Sequence, residues 1–315
     1  MKVVASTSKE NSTIVYIIEQ EHGKLLECVE SVLPSSTRLE KWVLLVSTMY
    51  GCPVHCAMCD AGGYYQGNPT ADEILEQIDF LVQQRFPANI IPSKQFKIQF
   101  SRMGEPALNL AVLEVLKSLS QRYQAPGLMP SFSTVAPAGC KRFFDQLVDI
   151  KNEYYSGGRF QFQFSIHTTD EGLRDQIIPI RKWRFSDMAE YGDRFFSPGD
   201  RKITLNFALA QQSPLEADVL KRYFSPENYL IKITPINPTY RAIETNLISH
   251  VDIDSPNQND EIVSALSAEG YEVIMSIGNV EENFIGSNCG QYVRAHLKAQ
   301  DKITTGYTYP IDKSL

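Results

Sequence analysis

From residue 41 onward, short runs that read as strands alternate with longer runs of helical spacing. This alternation restricts the fold more than any other feature. The candidate strands are 41–47, 96–101, 129–134, 159–167, 203–209, 229–236 and 272–277, and candidate helices at 110–123, 139–150, 215–224 and 259–269 fall between them. Repeats of strand, helix and strand build a parallel sheet, because parallel neighbours need a crossover connection. Six or seven such units imply a closed or partly closed barrel, with ligand sites at the C-terminal strand ends. The best-signalled helix starts after Thr70. Glu73 completes a capping box there, and Ile74, Ile78 and Leu81 recur at helical spacing. The expected fold class is therefore α/β, a partial (β/α)6 barrel over 41–315. A small β unit over 1–40 precedes it, with strands at 12–19 and 25–33 around His22-Gly23. The polar and aromatic stretch 183–202 reads as an insertion serving as a lid or substrate loop.

Composition narrows the function classes. Of 315 residues, 43 % are hydrophobic and 21 % charged, which excludes a disordered chain. No apolar run reaches the roughly 18 residues of a membrane span. The first 20 residues lack an apolar segment with a small-residue cleavage site, so the expected location is cytoplasmic, without a membrane partner. Thirty Lys and Arg against 37 Asp and Glu give a net charge of −7, a poor general match to nucleic-acid phosphates. Three of the six cysteines lie within eight residues, which suits a metal or cluster site better than a secreted disulfide framework.

Those three are Cys52, Cys56 and Cys59, a CxxxCxxC run directly after the first barrel strand. Thiolates are soft ligands suited to iron–sulfur clusters. Three on one tight loop can hold three irons of a [4Fe–4S] cubane and leave the fourth open to a small molecule. The competing ion, structural zinc, needs four ligands. No second cysteine pair is present, and His55 is the available fourth ligand.

The spacing resembles the radical S-adenosylmethionine (SAM) superfamily. The resemblance implies that the open iron chelates the amino and carboxylate groups of SAM, and that the reduced cluster cleaves SAM to a 5′-deoxyadenosyl radical. It also implies an external electron donor such as flavodoxin or ferredoxin. Met103-Gly104-Glu105-Pro106-Ala107-Leu108-Asn109 looks like the MGxGEPxxN of the RlmN/Cfr RNA methyltransferases within that superfamily. Ser165-Ile166-His167 opens a string similar to their SLHAxxDxxRxxxxP, and Pro235-Ile236-Asn237-Pro238 resembles their PFNP. By this resemblance SAM contacts fall on Gly104, Glu105, Ser133, Ser165, Ile166, His167 and Asn237. The period of two in 159–167 independently puts Ser165 and His167 on one face.

Asn288-Cys289-Gly290-Gln291 resembles the family's xCGQ, which implies that Cys289 accepts a methyl group from SAM and then presents it as a radical carrier to an sp2 carbon of adenosine. Val29-Glu30-Ser31-Val32-Leu33-Pro34 resembles VETVLIP, which implies a proton-accepting role for Glu30. Two features depart from the pattern. Leu45 stands where the family has a second catalytic cysteine that resolves the covalent adduct, which leaves three alternatives: a substitute thiol, Cys28 or Cys140, a different product release, or a reaction other than adenosine methylation. Only about 40 residues precede the first barrel strand, where the ribosomal-RNA enzymes carry a helical extension. Basic residues from Arg174 to Lys202, interleaved with aromatic ones, offer an RNA contact by phosphate pairing and stacking.

The expected function is radical SAM methyl transfer through Cys289, with RNA adenosine as the family-implied substrate. The alternatives are radical chemistry on a small molecule or peptide, and a non-catalytic iron–sulfur or zinc protein.

Overall fold

The computed structural model describes residues 1–9, 13–32, 35–252 and 260–313. Ser12, Leu33, Pro34 and Asn259, included above in strand ends, a motif and a helix start, lie outside the described residues. Ten strands are present: β1 (Lys2–Lys9), β2 (Thr13–Glu19), β3 (Leu25–Ser31), β4 (Lys41–Val46), β5 (Gln95–Phe100), β6 (Leu128–Thr134), β7 (Gln161–Ser165), β8 (Ile203–Ala208), β9 (Tyr229–Thr234) and β10 (Val273–Met275). The helices are α1 (Ala71–Gln83), α2 (Ala111–Arg122), α3 (Lys141–Tyr154), α4 (Glu171–Ile177), α5 (Phe185–Phe195), α6 (Ala217–Lys221), α7 (Tyr240–Glu244), α8 (Asp260–Ala268), α9 (Glu281–Ile285) and α10 (Val293–Lys298).

All ten strands join one sheet in sequential order. Pairing is antiparallel from β1 to β4 and parallel from β4 to β10. The seven parallel strands form the partial barrel. Alternation along β4 shows how its wall divides. Trp42, Leu44 and Val46 point outward into the main core, while Leu45 faces the lumen. The outer layer is aromatic. Trp42 stacks on Phe96 with centroids 5.0 Å apart, and Phe132 stacks on Phe162 at 5.8 Å. Cutting one such ring back to alanine costs about 3–5 kcal/mol. α1 covers this layer with Ile74, Ile78 and Leu81, and its capping box forms as its sequence dictates. Glu73 N donates to Thr70 Oγ1 at 3.2 Å, and Thr70 N donates to Glu73 Oε2 at 2.7 Å.

Two expectations are corrected. The N-terminal β unit has three strands, because β1 pairs along β2 from Lys2 opposite Glu19 to Lys9 opposite Thr13. It also continues into the barrel, since Val29 pairs with Leu45 between β3 and β4. The second correction concerns 183–202, which is no lid. It contains α5, whose Phe185, Met188, Tyr191 and Phe195 are buried in the main core. Their three- and four-residue spacing is one helix face. Several basic residues of 174–202 serve the scaffold. Arg174, 2 % exposed, donates to the carbonyls of Val135, Ser165 and Trp183. Lys182 pairs with Asp175, and Arg194 with Asp145.

The inner face of β1–β3 carries an apolar cluster of Ala5, Val15, Ile17 and Val29, all buried. Val293, Ile303 and Tyr307 of the C-terminal segment pack on it. The tail then bridges the free edge of β1, where Ser6 N donates to Asp312 O at 2.9 Å and Asp312 N to Ser6 O at 2.8 Å. The N-terminal sheet is thus a platform that holds the C-terminal segment across the barrel. No helix among the described residues is long and apolar enough to cross a membrane.

Candidate active site

The cysteine loop leaves the C-terminal end of β4, and hydrogen bonds from three directions hold it. Cys52 N donates to Tyr64 O at 3.1 Å, Ala57 N to Ile177 O at 2.8 Å, and Thr239 Oγ1 to Met58 O at 2.9 Å. Gly51 has φ +79°, and a Cβ there would meet Tyr64 carbonyl carbon at 2.9 Å, so only glycine fits. Cys52, Cys56 and Cys59 all line one cavity of about 220 Å³ at the barrel mouth. Burial first, and the neighbouring acidic groups second, push Cys52 up to about 11 and Cys59 up to about 12. Cys56 is raised well above the ordinary thiol value for the same reasons. Buried thiols crowded in this way become stable thiolates when a cationic metal centre compensates them.

The donor set suits a cluster. His55 is turned away from this cavity into a separate depression with Gly63 and Tyr64, so it is no fourth ligand. Among the described residues no three His, Cys, Asp or Glu side chains are arranged to hold one metal ion. A cubane takes each thiolate on a different iron and does not need convergence on one point.

The other motif residues reach the same cavity from successive strand ends. Gly104 (φ +104°) follows β5, and a Cβ there would lie 2.8 Å from Met49 N. Next to it, Glu105 is 4 % exposed. Its carboxylate accepts from Thr134 Oγ1 at 2.5 Å, Val135 N at 2.9 Å and Ala107 N at 3.1 Å. Burial nevertheless raises its pKa to about 7, and those three donors oppose the rise. Ser133, Ser165, His167 and Asn237 also line the cavity. His167 sits at φ +69° and accepts from Ala208 N through Nδ1 at 3.0 Å. Burial, with Arg174 nearby, lowers its pKa to about 3, so the ring is neutral and its proton rests on Nε2. Ile166 is the exception. Its side chain is fully buried in the outer core, and it has no place in the cavity wall.

Cys289 is exposed and lines this cavity together with the three loop cysteines. Asn237 Nδ2 donates to Cys289 O, and Asp60 N donates to Gly290 O at 3.1 Å. The segment carrying Cys289 is therefore tied directly to the cysteine loop and to the end of β9. Leu45 lines the same cavity as Cys289. Neither substitute thiol joins them. Cys28 is fully buried in the outer core, and Cys140 packs partly buried against that core at the start of α3.

Glu30 does not reach the cavity. Its neighbours Val29 and Ser31 face inward, so the strand period turns Glu30 outward. There it is 1 % exposed, and its carboxylate accepts from Arg38 Nε at 2.8 Å, Arg85 Nε at 2.9 Å and Trp42 Nε1 at 3.1 Å. A general base needs hydrogen-bond access to substrate, and this carboxylate has none.

No family model matches the chain. It is 26 % identical over 310 residues to a "Probable dual-specificity RNA methyltransferase RlmN" of Desulfitobacterium hafniense, covering 96 % of this chain and 81 % of that one. A protein of the same name from Trichormus variabilis is 26 % identical over 288 residues, covering 89 % and 73 %. Among solved structures, a radical SAM methyltransferase from Sphaerobacter thermophilus superposes with TM-score 0.70 at 19 % identity, covering 92 % of this chain and 80 % of that one. The chain resembles the RlmN/Cfr-like radical SAM methyltransferases over most of its length. Its partial barrel and mouth motifs fit that likeness. Leu45 lines the cavity at the position where the sequence resemblance would place a second cysteine.

Several residues that position this site carry no motif of their own. Glu27, on the inner face of β3, accepts from Arg102 Nε at 2.9 Å and Nη2 at 2.5 Å. Arg102 also donates to Gly286 O at 2.6 Å and Ser287 O at 3.3 Å, fixing the chain just before Cys289. Asp60 accepts from Tyr240 N, Arg241 N and Tyr307 Oη, fastening the cysteine loop to α7 and the C-terminal segment. Their only sequence signal was proximity to the motifs, at Arg102-Met103-Gly104 and Cys59-Asp60.

Proposed function

We propose that this chain is an RlmN/Cfr-like radical SAM methyltransferase that passes a one-carbon unit through Cys289 to an sp2 carbon, with RNA adenosine as substrate. The observation that carries this reading is the shared cavity, since a mobile thiol outside the barrel would be useless as a carrier. Cys52, Cys56 and Cys59 are the residues that would hold a [4Fe–4S] cluster. When bound, the cluster and SAM supply the methyl group and the one-electron chemistry, with an external donor such as flavodoxin or ferredoxin as the electron source.

The chain's own residues bind, orient and exclude water. Gly104 allows close backbone approach to the cosubstrate. Glu105, kept near neutrality in its titration by burial, offers acceptors to an ammonium or ribose hydroxyl. His167 offers a neutral Nε2–H donor across the cavity. Asn237 spends its amide group on Cys289 O and keeps its own carbonyl oxygen free to accept. Val54, Met58, Val135 and Ile236 line the space between them with apolar surface. The Cys289 sulfur, once deprotonated, is the nucleophile that takes the methyl group. Glu30 stays outside this scheme as a scaffold carboxylate.

A second reading keeps the chemistry and changes the substrate to a small molecule or peptide. It is favoured by Leu45, which removes disulfide-forming adduct release, and by the scaffold duties of several basic residues in 174–202. Anaerobic incubation with methyl-labelled SAM, host RNA and a small-molecule extract separates the two. Label in an RNA adenosine supports the first reading, and label in the small-molecule fraction with none in RNA supports the second. If dithionite and SAM yield no 5′-deoxyadenosine, both fail.

A further inference from the structure

Below the mouth, the lumen continues into a second chamber of about 280 Å³, walled by β3, β4, β5, β9 and the segment leading to Cys289. The two chambers share Leu45, Lys97, Gln99, Lys232, Thr234 and Cys289, among others. None of the three loop cysteines lines the second one. Of the cofactor residues Asn237 alone lines it, and Gly104, Glu105, Ser133, Ser165 and His167 do not.

Its charge is unusual. Lys41 from β4, Lys97 from β5 and Lys232 from β9 all face into it. Among the described residues, no carboxylate pairs with any of the three, and none of their ammonium groups has a hydrogen-bond acceptor. The one carboxylate lining this chamber, Glu282, accepts from Thr13 Oγ1 at 2.8 Å, and burial raises its pKa toward the neutral form. Burial and the positive charges of Lys232, Lys41 and Arg201 together depress Lys97 to about 7. Three lysines lining one partly closed space are costly to keep charged unless an anion joins them.

We propose that this chamber binds an oxyanion, phosphate or carboxylate, carried by the substrate, and so places the acceptor carbon against Cys289. The proposal rests on the methyl-transfer reading for the identity of the bound molecule as substrate. Lys97 and Lys232 are the contacts common to both chambers, and Lys41 closes the far end. The substrate class is thus an anionic sp2-carbon compound, with the nucleotide unit of an RNA and a free aromatic acid as two sources of the same group.

The test measures binding, so its outcome does not depend on turnover. Cluster-loaded protein with SAM is titrated anaerobically with two matched pairs, AMP against adenosine and benzoate against benzamide. At least one anionic member should bind about tenfold or more tightly than its neutral partner, as expected for charge-assisted hydrogen bonds. The pair that shows the preference identifies phosphate or carboxylate. Lys97→Gln/Lys232→Gln should erase the preference, and Lys97→Arg/Lys232→Arg should retain it. The glutamine variant should also melt at a higher temperature than wild type without ligand, because it removes like-charge repulsion, which excludes misfolding as the cause of lost binding. No anionic binding by wild type, equal binding of charged and neutral members, or a preference that survives in the glutamine variant overturns the proposal. Failure of the methyl-transfer reading instead appears as missing 5′-deoxyadenosine or an unmodified Cys289, whatever the isotherms show.

Discussion

The two ends of the lumen are built on opposite principles. At the mouth, polar groups are matched: Glu105 has three donors, His167 has the amide of Ala208, and Asn237 has the carbonyl of Cys289. At the floor, Lys41, Lys97 and Lys232 face one another with no acceptor among the described residues. A satisfied network holds a fixed geometry, whereas unmatched charge of one sign leaves its complement to a ligand. The mouth is therefore organised before anything binds, and the floor is completed by what binds.

The largest expected effect breaks the mouth. Cys56→Ala removes one of three thiols and should abolish visible cluster absorption and 5′-deoxyadenosine formation, while the circular dichroism of the barrel stays that of wild type. Retained SAM cleavage would show that the three thiols do not act as a set. A second effect falls on the wall between the ends. Without added thiol, the wild type should stall near one turnover with substrate attached to Cys289, which peptide mass spectrometry detects. Leu45→Cys should release the product by thiol attack on the Cys289 sulfur, leaving a disulfide between the introduced thiol and Cys289 that a reductant must cleave before the next turnover. Unchanged stalling in that variant would mean that the adduct is not resolved from this wall.

Glu30 supplies the contrast between the inside and outside of one strand. Glu30→Gln leaves Arg38 and Arg85 without a charged partner, and unfolding should become easier by about 2–3 kcal/mol after allowing for the partial exposure of both arginines. Methyl transfer by the folded protein should stay within about twofold of wild type. A loss of chemistry without a loss of stability would restore Glu30 to the reaction.

The smallest effect sharpens the floor. The unfolded chain keeps a lysine proton up to its ordinary value of 10.5, while folded Lys97 sheds its proton near 7. Unfolding therefore takes up a proton between those values, and stability gains as pH rises through that window. Below pH 7 Lys97→Gln should melt higher than wild type, and the gap should narrow steadily toward pH 10. A gap that is constant with pH would mean that Lys97 is fully solvated.

The same contrast explains what the sequence made legible. The mouth is built from loops in restricted conformations, Gly51, Gly104 and His167 among them at positive φ, and from thiols at fixed spacing. Such positions tolerate few residue types, so they leave motifs. The floor lysines leave none. Period two sets Lys97 beside Gln99 on one face, but only the curvature of the whole sheet makes that face a lumen. β1 escaped because its serines dilute the strand signal of Val3, Val4 and Thr7, and it is fixed by pairing with β2. The helix α5 escaped because Phe185, Met188, Tyr191 and Phe195 are scattered among charged residues that mask their spacing. Glu30 shows the opposite error. The string around it resembles a family motif, yet strand alternation turns the side chain away from the cavity.

Peptide mass spectrometry of Cys289 from anaerobically purified, cluster-loaded protein tests the central claim most directly. A methyl group on its sulfur, absent when Cys52, Cys56 and Cys59 are intact but SAM is withheld during reconstitution of demethylated protein, is the predicted result. A bare Cys289 thiol in protein that steadily converts SAM to 5′-deoxyadenosine would contradict it.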